Sequence, residues 1–271
     1  MLGAIIGDIA GSRFEFNNID TKDFKLFHSN CHITDDSAMT IAVMSAILTG
    51  DLQNEDSFKK TVIECYKKFW MLDPDGDYGL GFSEWLESDD PQPYNSYGNG
   101  ACMRISPVAV LNDGVRTKVA RWATEVSHNH PIALSWVELY VTTLSTVKGM
   151  SVGEGKSYIR NALKHTTTDA HSSEYYVDGV AEVHPGEFDE TVQGTVPLAV
   201  RAVLEAEDFE DAVKTAISYG GDSDTIAAIA GALAECVFGI PESIKRACLK
   251  YIPVTMVSTV VKFNRKYPEF A

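Results

Sequence analysis

The chain has 271 residues, with 23 Lys and Arg against 38 Asp and Glu, a formal charge of −15. Hydrophobic residues at 45% and aromatics at 10% suffice for a sizeable core and exclude disorder over most of the chain. So acidic a balance speaks against a general nucleic-acid-binding role, which runs on clustered Lys and Arg, and fits either metal ligands or a merely soluble surface.

In chain order, Met1 to Ala10 is apolar but short, has no basic lead and is interrupted by Asp8, so it does not read as a signal peptide. Helical spacing then predicts a buried helix over Ser37 to Leu48 and an amphipathic one over Phe58 to Trp70. Ala101 to Leu111 follows with a break expected at Pro107. Further helices are expected over Val115 to Val126, Ile132 to Val147, Lys156 to Leu163, Val192 to Ala206 and Phe209 to Ser218. Ile226 to Phe238, Pro241 to Tyr251 and Pro253 to Phe263 complete the set. Strand-like alternation is confined to Tyr175 to Val183, so the fold class is all-α, a many-helix globule. No Pro/Gly/Ser-rich linker divides the chain, which favours one domain over 1–271. No stretch approaches the roughly 18 uncharged apolar residues of a membrane span. Five scattered cysteines without a CxxC pair read as reduced thiols of a cytoplasmic protein.

One pattern occurs twice. Thr34-Asp35-Asp36 runs into SAMTIAVMSAIL, and Gly220-Gly221-Asp222-Ser223-Asp224-Thr225 runs into IAAIAGALAE. Helix capping accounts for one Asp, Ser or Thr per helix start. Paired carboxylates beside buried helices repel each other unless paired or metal-bound, and neither window holds a Lys or Arg. Hard divalent cations such as Mg²⁺ take such oxygen ligands, so capping and metal binding both stand as readings.

Other segments carry weaker signals. Asp73-Pro74-Asp75-Gly76-Asp77-Tyr78-Gly79 to Glu84 resembles a calcium loop, but Tyr78 occupies the position where the turn needs glycine. It reads as a turn-rich surface loop on which Tyr78, Phe82 and Trp85 pack down. Gly98-Asn99-Gly100 before a helix-forming run is either a tight turn or a close backbone approach to a phosphate. His128-Asn129-His130-Pro131 lacks further zinc ligands nearby and suits a helix start with Pro131 at the first position. Gly149, Gly153 and Gly155 read as an interhelix loop.

Taken together these stretches resemble the ADP-ribosylglycohydrolase family. The matching residues are Gly7-Asp8-Ile9-Ala10-Gly11-Ser12 with Glu15, Thr34-Asp35-Asp36-Ser37, and Tyr78-Gly79 with Phe82 and Trp85. They continue with Gly98 to Arg104, Ser127-His128 with His130-Pro131, and Gly220 to Thr225, nearly spanning the chain. The resemblance implies an orthogonal all-helical fold and two divalent cations, Mg²⁺ or Mn²⁺. Thr34, Asp35 and Asp36 would hold one ion and Asp222, Asp224 and Thr225 the other, with Asp224 bridging. Glu15 would act as a gate or acid/base group, with Asp35 and Asp36 counted as catalytic beside it. Tyr97, Gly98, Asn99, Gly100, Ala101 and Met103 would wrap the ADP-ribose, and His128 would line the cleft. Arg104 would either meet phosphate or anchor its loop. The implied activity is hydrolysis of the bond between ADP-ribose and a modified side chain, arginine first and serine second, with ADP-ribose as product. An ADP-ribosylated protein or small molecule would be the partner. The chain departs from some arginine-acting members at Ser96-Tyr97, where they carry a carboxylate. The alternatives are a catalytically silent ADP-ribose-binding regulator and a hydrolase of small-molecule or nucleic-acid adducts.

Overall fold

The structure is a computed structural model that describes residues 1–166, 176–177, 180–181 and 186–270. Among them are thirteen α-helices: α1 Leu2–Gly11, α2 Asp35–Thr49, α3 Glu55–Leu72, α4 Leu80–Glu87, α5 Gly100–Met103, α6 Asp113–Glu125, α7 Pro131–Val147, α8 Val152–Thr166, α9 Val192–Glu205, α10 Phe209–Ser218, α11 Ser223–Phe238, α12 Glu242–Cys248 and α13 Val254–Lys266. Of the Tyr175 to Val183 stretch, Tyr176–Val177 (β1) and Val180–Ala181 (β2) pair antiparallel, with Tyr176 opposite Ala181. The remainder of that stretch lies outside the described residues.

The centre is a pair of helices without a polar face. Every residue of α1 and all but the last residue of α11 are buried. Gly3, Gly7 and Gly11 repeat every four residues and so share one face of α1. A Cβ at Gly3 would overlap the Gly231 carbonyl, one at Gly7 the Ala227 carbonyl, and one at Gly11 would sit 2.5 Å from the Asp224 Cα. The glycine stripe therefore lets two backbones touch, and it places the C-terminal end of α1 against the start of α11. Around this pair, α9 and α10 pack on α11, α2 packs on α1, α3 and α13, and α6 packs on α7.

The break expected at Pro107 is met: α5 ends at Met103, and Pro107 lies in the first turn of a 3-10 helix at Ser106–Val110. The expected start at Pro131 is also met: His130 caps α7 by accepting from the Ile132 N–H at 3.2 Å. Two expectations need correction. Gly153 and Gly155 lie inside α8 rather than in a loop, where Gly155 sits against Val147 and Val237. The segment after Tyr78 forms α4, whose buried Phe82 and Trp85 stack with centroids 5.4 Å apart.

Candidate metal centre and ligand cleft

The two acidic loops meet. Asp36 Oδ2 accepts from Thr225 Oγ1 at 3.0 Å, and Thr34 Oγ1 lies 3.4 Å from Asp224 Oδ2, across some 190 residues of chain. Ligand-type oxygens of Glu15, Asp222 and Asp224 all lie within 4.8 Å of one another. Two buried carboxylate oxygens in this cluster, Asp36 Oδ1 and Asp224 Oδ1, have no hydrogen-bond partner.

Asp8 organises the α2 side. It is wholly buried, accepts from Thr34 Oγ1 at 2.8 Å and from the N–H groups of Thr34 and Ser37 at 3.1 and 3.0 Å. Asp35 is held from outside, its N–H donating to the Gly76 carbonyl at 2.6 Å. On the α11 side, Asp222 Oδ2 accepts from Asn99 Nδ2 at 2.5 Å, and Asn99 also reaches Thr195 Oγ1 at 3.0 Å. Asn18 grips the turn before Asp222, donating to the Gly221 carbonyl and accepting its N–H.

So many carboxylates in one buried place resist ionisation. Desolvation first, then neighbouring carboxylates, push Asp35, Asp36 and Asp224 well above the usual range. Burial holds Asp8 up to about 6 against its hydrogen bonds. Glu15, half-buried at the cleft, is raised to about 8 by desolvation and then by Asp222, Asp77, Asp8 and Glu190. Such a cluster, with no Lys or Arg ion-paired to it among the described residues, is a candidate site for cations.

The cluster forms one end of a cleft of about 320 Å³. Of the expected residues, Glu15, Asp35, Asp222, Asp224 and Thr225 line it on the acidic side, with Gly98, Asn99, Gly100, Met103, Arg104 and His128 on the other. Thr34 and Asp36 sit buried directly behind it. Ala101 is also buried and does not line the cleft, and Tyr97 stays half exposed, its ring 5.2 Å from His130. At the glycine loop most N–H groups are engaged within the protein, in keeping with the tight-turn reading. Gly98 N–H donates to Ser96 Oγ, Asn99 N–H to the Glu190 carbonyl, and those of Ala101, Cys102 and Met103 to the loop itself.

Sequence reasoning left out several residues of this site. Asp8 had a visible signal, a lone carboxylate in an apolar helical run. Asp77 lies in the acidic stretch that reads as a surface loop, and Glu190 and Tyr94 line the cleft without any motif that marks them.

Fold and site together define a helical protein organised around a buried carboxylate cluster beside a glycine loop. The chain belongs to the ADP-ribosylglycohydrolase family, whose model matches residues 1–263. It is 24% identical to the ADP-ribosylhydrolase ARH3 of Mus musculus, over 92% of this chain and 86% of that protein. It is 25% identical to the ADP-ribosyl-[dinitrogen reductase] glycohydrolase of Rhodospirillum rubrum, over 78% of this chain and 70% of that protein. The ADP-ribosylarginine hydrolase Tri1 of Pseudomonas putida (strain GB-1) is 21% identical, over 89% and 70%. A solved ADP-ribosylglycohydrolase-related protein complex superposes with a TM-score of 0.65 at 20% identity, covering 97% of this chain and 95% of that one, a likeness of fold.

Proposed function

We propose that this chain is a divalent-metal-dependent hydrolase that cleaves the glycosidic bond between ADP-ribose and a modified side chain, arginine first and serine second. The observation that carries this is the meeting of the two acidic loops, with two carboxylate oxygens buried and unpartnered between them. Such orphaned oxygens are costly unless a cation takes them, so the residues present fit the group. Thr34, Asp35 and Asp36 would hold one ion and Asp222, Asp224 and Thr225 the other. When bound, two Mg²⁺ or Mn²⁺ ions supply Lewis acidity that activates a water and orients ribose hydroxyls.

The chain's own residues do the rest. Glu15 faces the cleft with its carboxyl within 4.8 Å of the Asp222 and Asp224 oxygens, so it is placed to act as a gate or acid/base group toward the departing nitrogen or oxygen of the side chain. The glycine loop, with Tyr97 at its rim, lets the ADP-ribose approach closely, and Asn99 holds Asp222 in place. The whole chain works as one domain. Its five free, buried cysteines suit a cytoplasmic setting, and among the described residues no helix is long and apolar enough to cross a membrane.

The test is release of ADP-ribose from an arginine-ADP-ribosylated protein, followed by chromatography with Mg²⁺, with Mn²⁺ and with chelator. Metal-dependent release is expected. Serine-linked, small-molecule and nucleic-acid adducts come next, and no release from any of them with either metal would sink the proposal.

A further inference from the structure

The largest of the fully buried side chains is a cation, Arg104, and the hydrolysis proposed above gives it no task. Its guanidinium lies between the rings of Tyr66 and Phe82, 4.7 Å from each centroid. A buried cation is normally matched by a carboxylate. Among the described residues none pairs with Arg104, and its Nε and Nη1 find no acceptor. The nitrogen that is engaged, Nη2, lies 2.8 Å from Ser127 Oγ and 3.0 Å from His128 Nδ1, while Ser127 Oγ is 2.9 Å from the same Nδ1.

Arginine has donors only and keeps its charge at any working pH. A ring nitrogen facing it must offer a lone pair, since a proton there would meet the cation. The hydrogen of the neutral imidazole then belongs on Nε2. That nitrogen points away from Arg104 and toward the glycine loop: a Cβ built at Gly100 would lie 3.2 Å from it, and one at Gly98 3.7 Å. The loop's own N–H groups at Gly98, Asn99 and Ala101 are already engaged within the protein. The rings of Tyr94 and Phe82 pack edge-on against His128 at 5.5 and 6.0 Å, so the charged and titratable groups facing it are Arg104 and Tyr94. Burial first and Arg104 second keep the imidazole well below its ordinary 6.5.

We propose that Arg104 is a positioning residue that locks His128 in the Nε2–H tautomer, so that the histidine presents a neutral, permanent hydrogen-bond donor to a ligand oxygen lying against Gly98 and Gly100. The histidine is thereby removed from acid/base chemistry and made a fixed recognition group. The ligand half of this rests on the ADP-ribose reading; the tautomer half does not.

Nitrogen-15 NMR of the full chain reads the tautomer directly, with His128→Asn identifying the signal among the seven histidines. The expected spectrum has a protonated Nε2 and a bare Nδ1, unchanged between about pH 5 and pH 8. A proton on Nδ1, or a ring that titrates inside that window, overturns the proposal. Arg104→Met should let a proton appear on Nδ1 of His128, and Arg104→Lys should restore the Nε2–H form. An arginine that merely stabilises the fold would lower the melting temperature in both variants and leave the Nε2–H tautomer unchanged in both. Should Arg104→Met fail to fold, the wild-type spectrum still decides. ADP-ribose added with Mg²⁺ should move the Nε2–H resonance. Binding that leaves it unmoved overturns the ligand half, whereas absence of binding counts against the ADP-ribose reading and leaves the tautomer result standing.

Discussion

At the start of α2, Thr34 Oγ1 accepts the Asp36 N–H at 3.3 Å, and the Asp8 carboxylate takes the N–H groups of Thr34 and Ser37. At the start of α11 the N-cap residue is Asp222, which makes no side-chain cap; its carboxylate turns to Asn99 instead. The chain reaches that point through Gly220 and Gly221 at φ of 72° and 68°, a region that only glycine enters freely. The two windows are alike in composition and differ in how they are held. Capping explains part of the first, through the threonine and not through its aspartates. It explains none of the second. Asp36 Oδ1 and Asp224 Oδ1 are left buried without a partner, and this is the feature on which the proposed cation site rests.

The sharpest way to break this comparison is to neutralise one carboxylate from each window. Asp36→Asn and Asp224→Asn should each lower Mg²⁺ affinity and ADP-ribose release by at least about a hundredfold, the loss that even outer-shell changes reach. Isothermal titration calorimetry and product chromatography measure the two. If the windows served helix ends alone, calorimetry would find metal binding intact in both variants.

Proton linkage comes next in size. The carboxyl of Asp8 is raised from 3.8 to about 6 by burial. A group whose folded pKa exceeds its unfolded one stabilises fully below the unfolded value, and that contribution is lost as pH rises through the folded value. Metal-free protein should lose about 3 kcal/mol from Asp8 alone between about pH 4 and pH 7. Glu15, raised to about 8, continues the decline. Chemical denaturation across this range checks the slope. Mg²⁺ should oppose the fall, with its largest stabilisation at the alkaline end.

The mechanical difference between the windows is tested by a matched pair. Gly221→Ala forces a left-handed residue and drives its Cβ into the Glu187 carbonyl, so a loss of about 2 kcal/mol or more is expected. Thr34→Ala removes a cap and should lose about 1 kcal/mol. Equal losses in urea melts would show that the two helix starts are held alike. Asn18→Ala, which frees the Gly221 turn from two hydrogen bonds, should show a change of similar size, about 1 kcal/mol.

How far the sequence could be read follows from where its periodicity comes from. Helices with one apolar face declare themselves, and α3, α6, α9 and α10 lie within a few residues of their expected bounds. The helix α1 is buried on every side and only ten residues long, so no alternation marks it. Its glycines look like helix breakers until α11 lies against them. Gly155 in α8 differs, since a Cβ there would meet Val147 and Val237 only at ordinary contact distances of 3.7 and 3.8 Å. The paired acidic windows were legible because two carboxylates exceed what one cap needs. Asp8 was visible only as an interruption, since its partners Thr34 and Ser37 lie more than 25 residues away.

By itself the sequence determined the helical class, the break at Pro107, the start of α7 and the two acidic windows, because each depends on residues within a turn or two of one another. The tertiary structure alone decided that the windows share one cleft, that Asp8 lies behind them and that Arg104 has an imidazole for a partner. Those facts depend on backbones brought together across nearly the whole chain, through a contact between α1 and α11 that bare glycine surfaces permit and no local pattern announces.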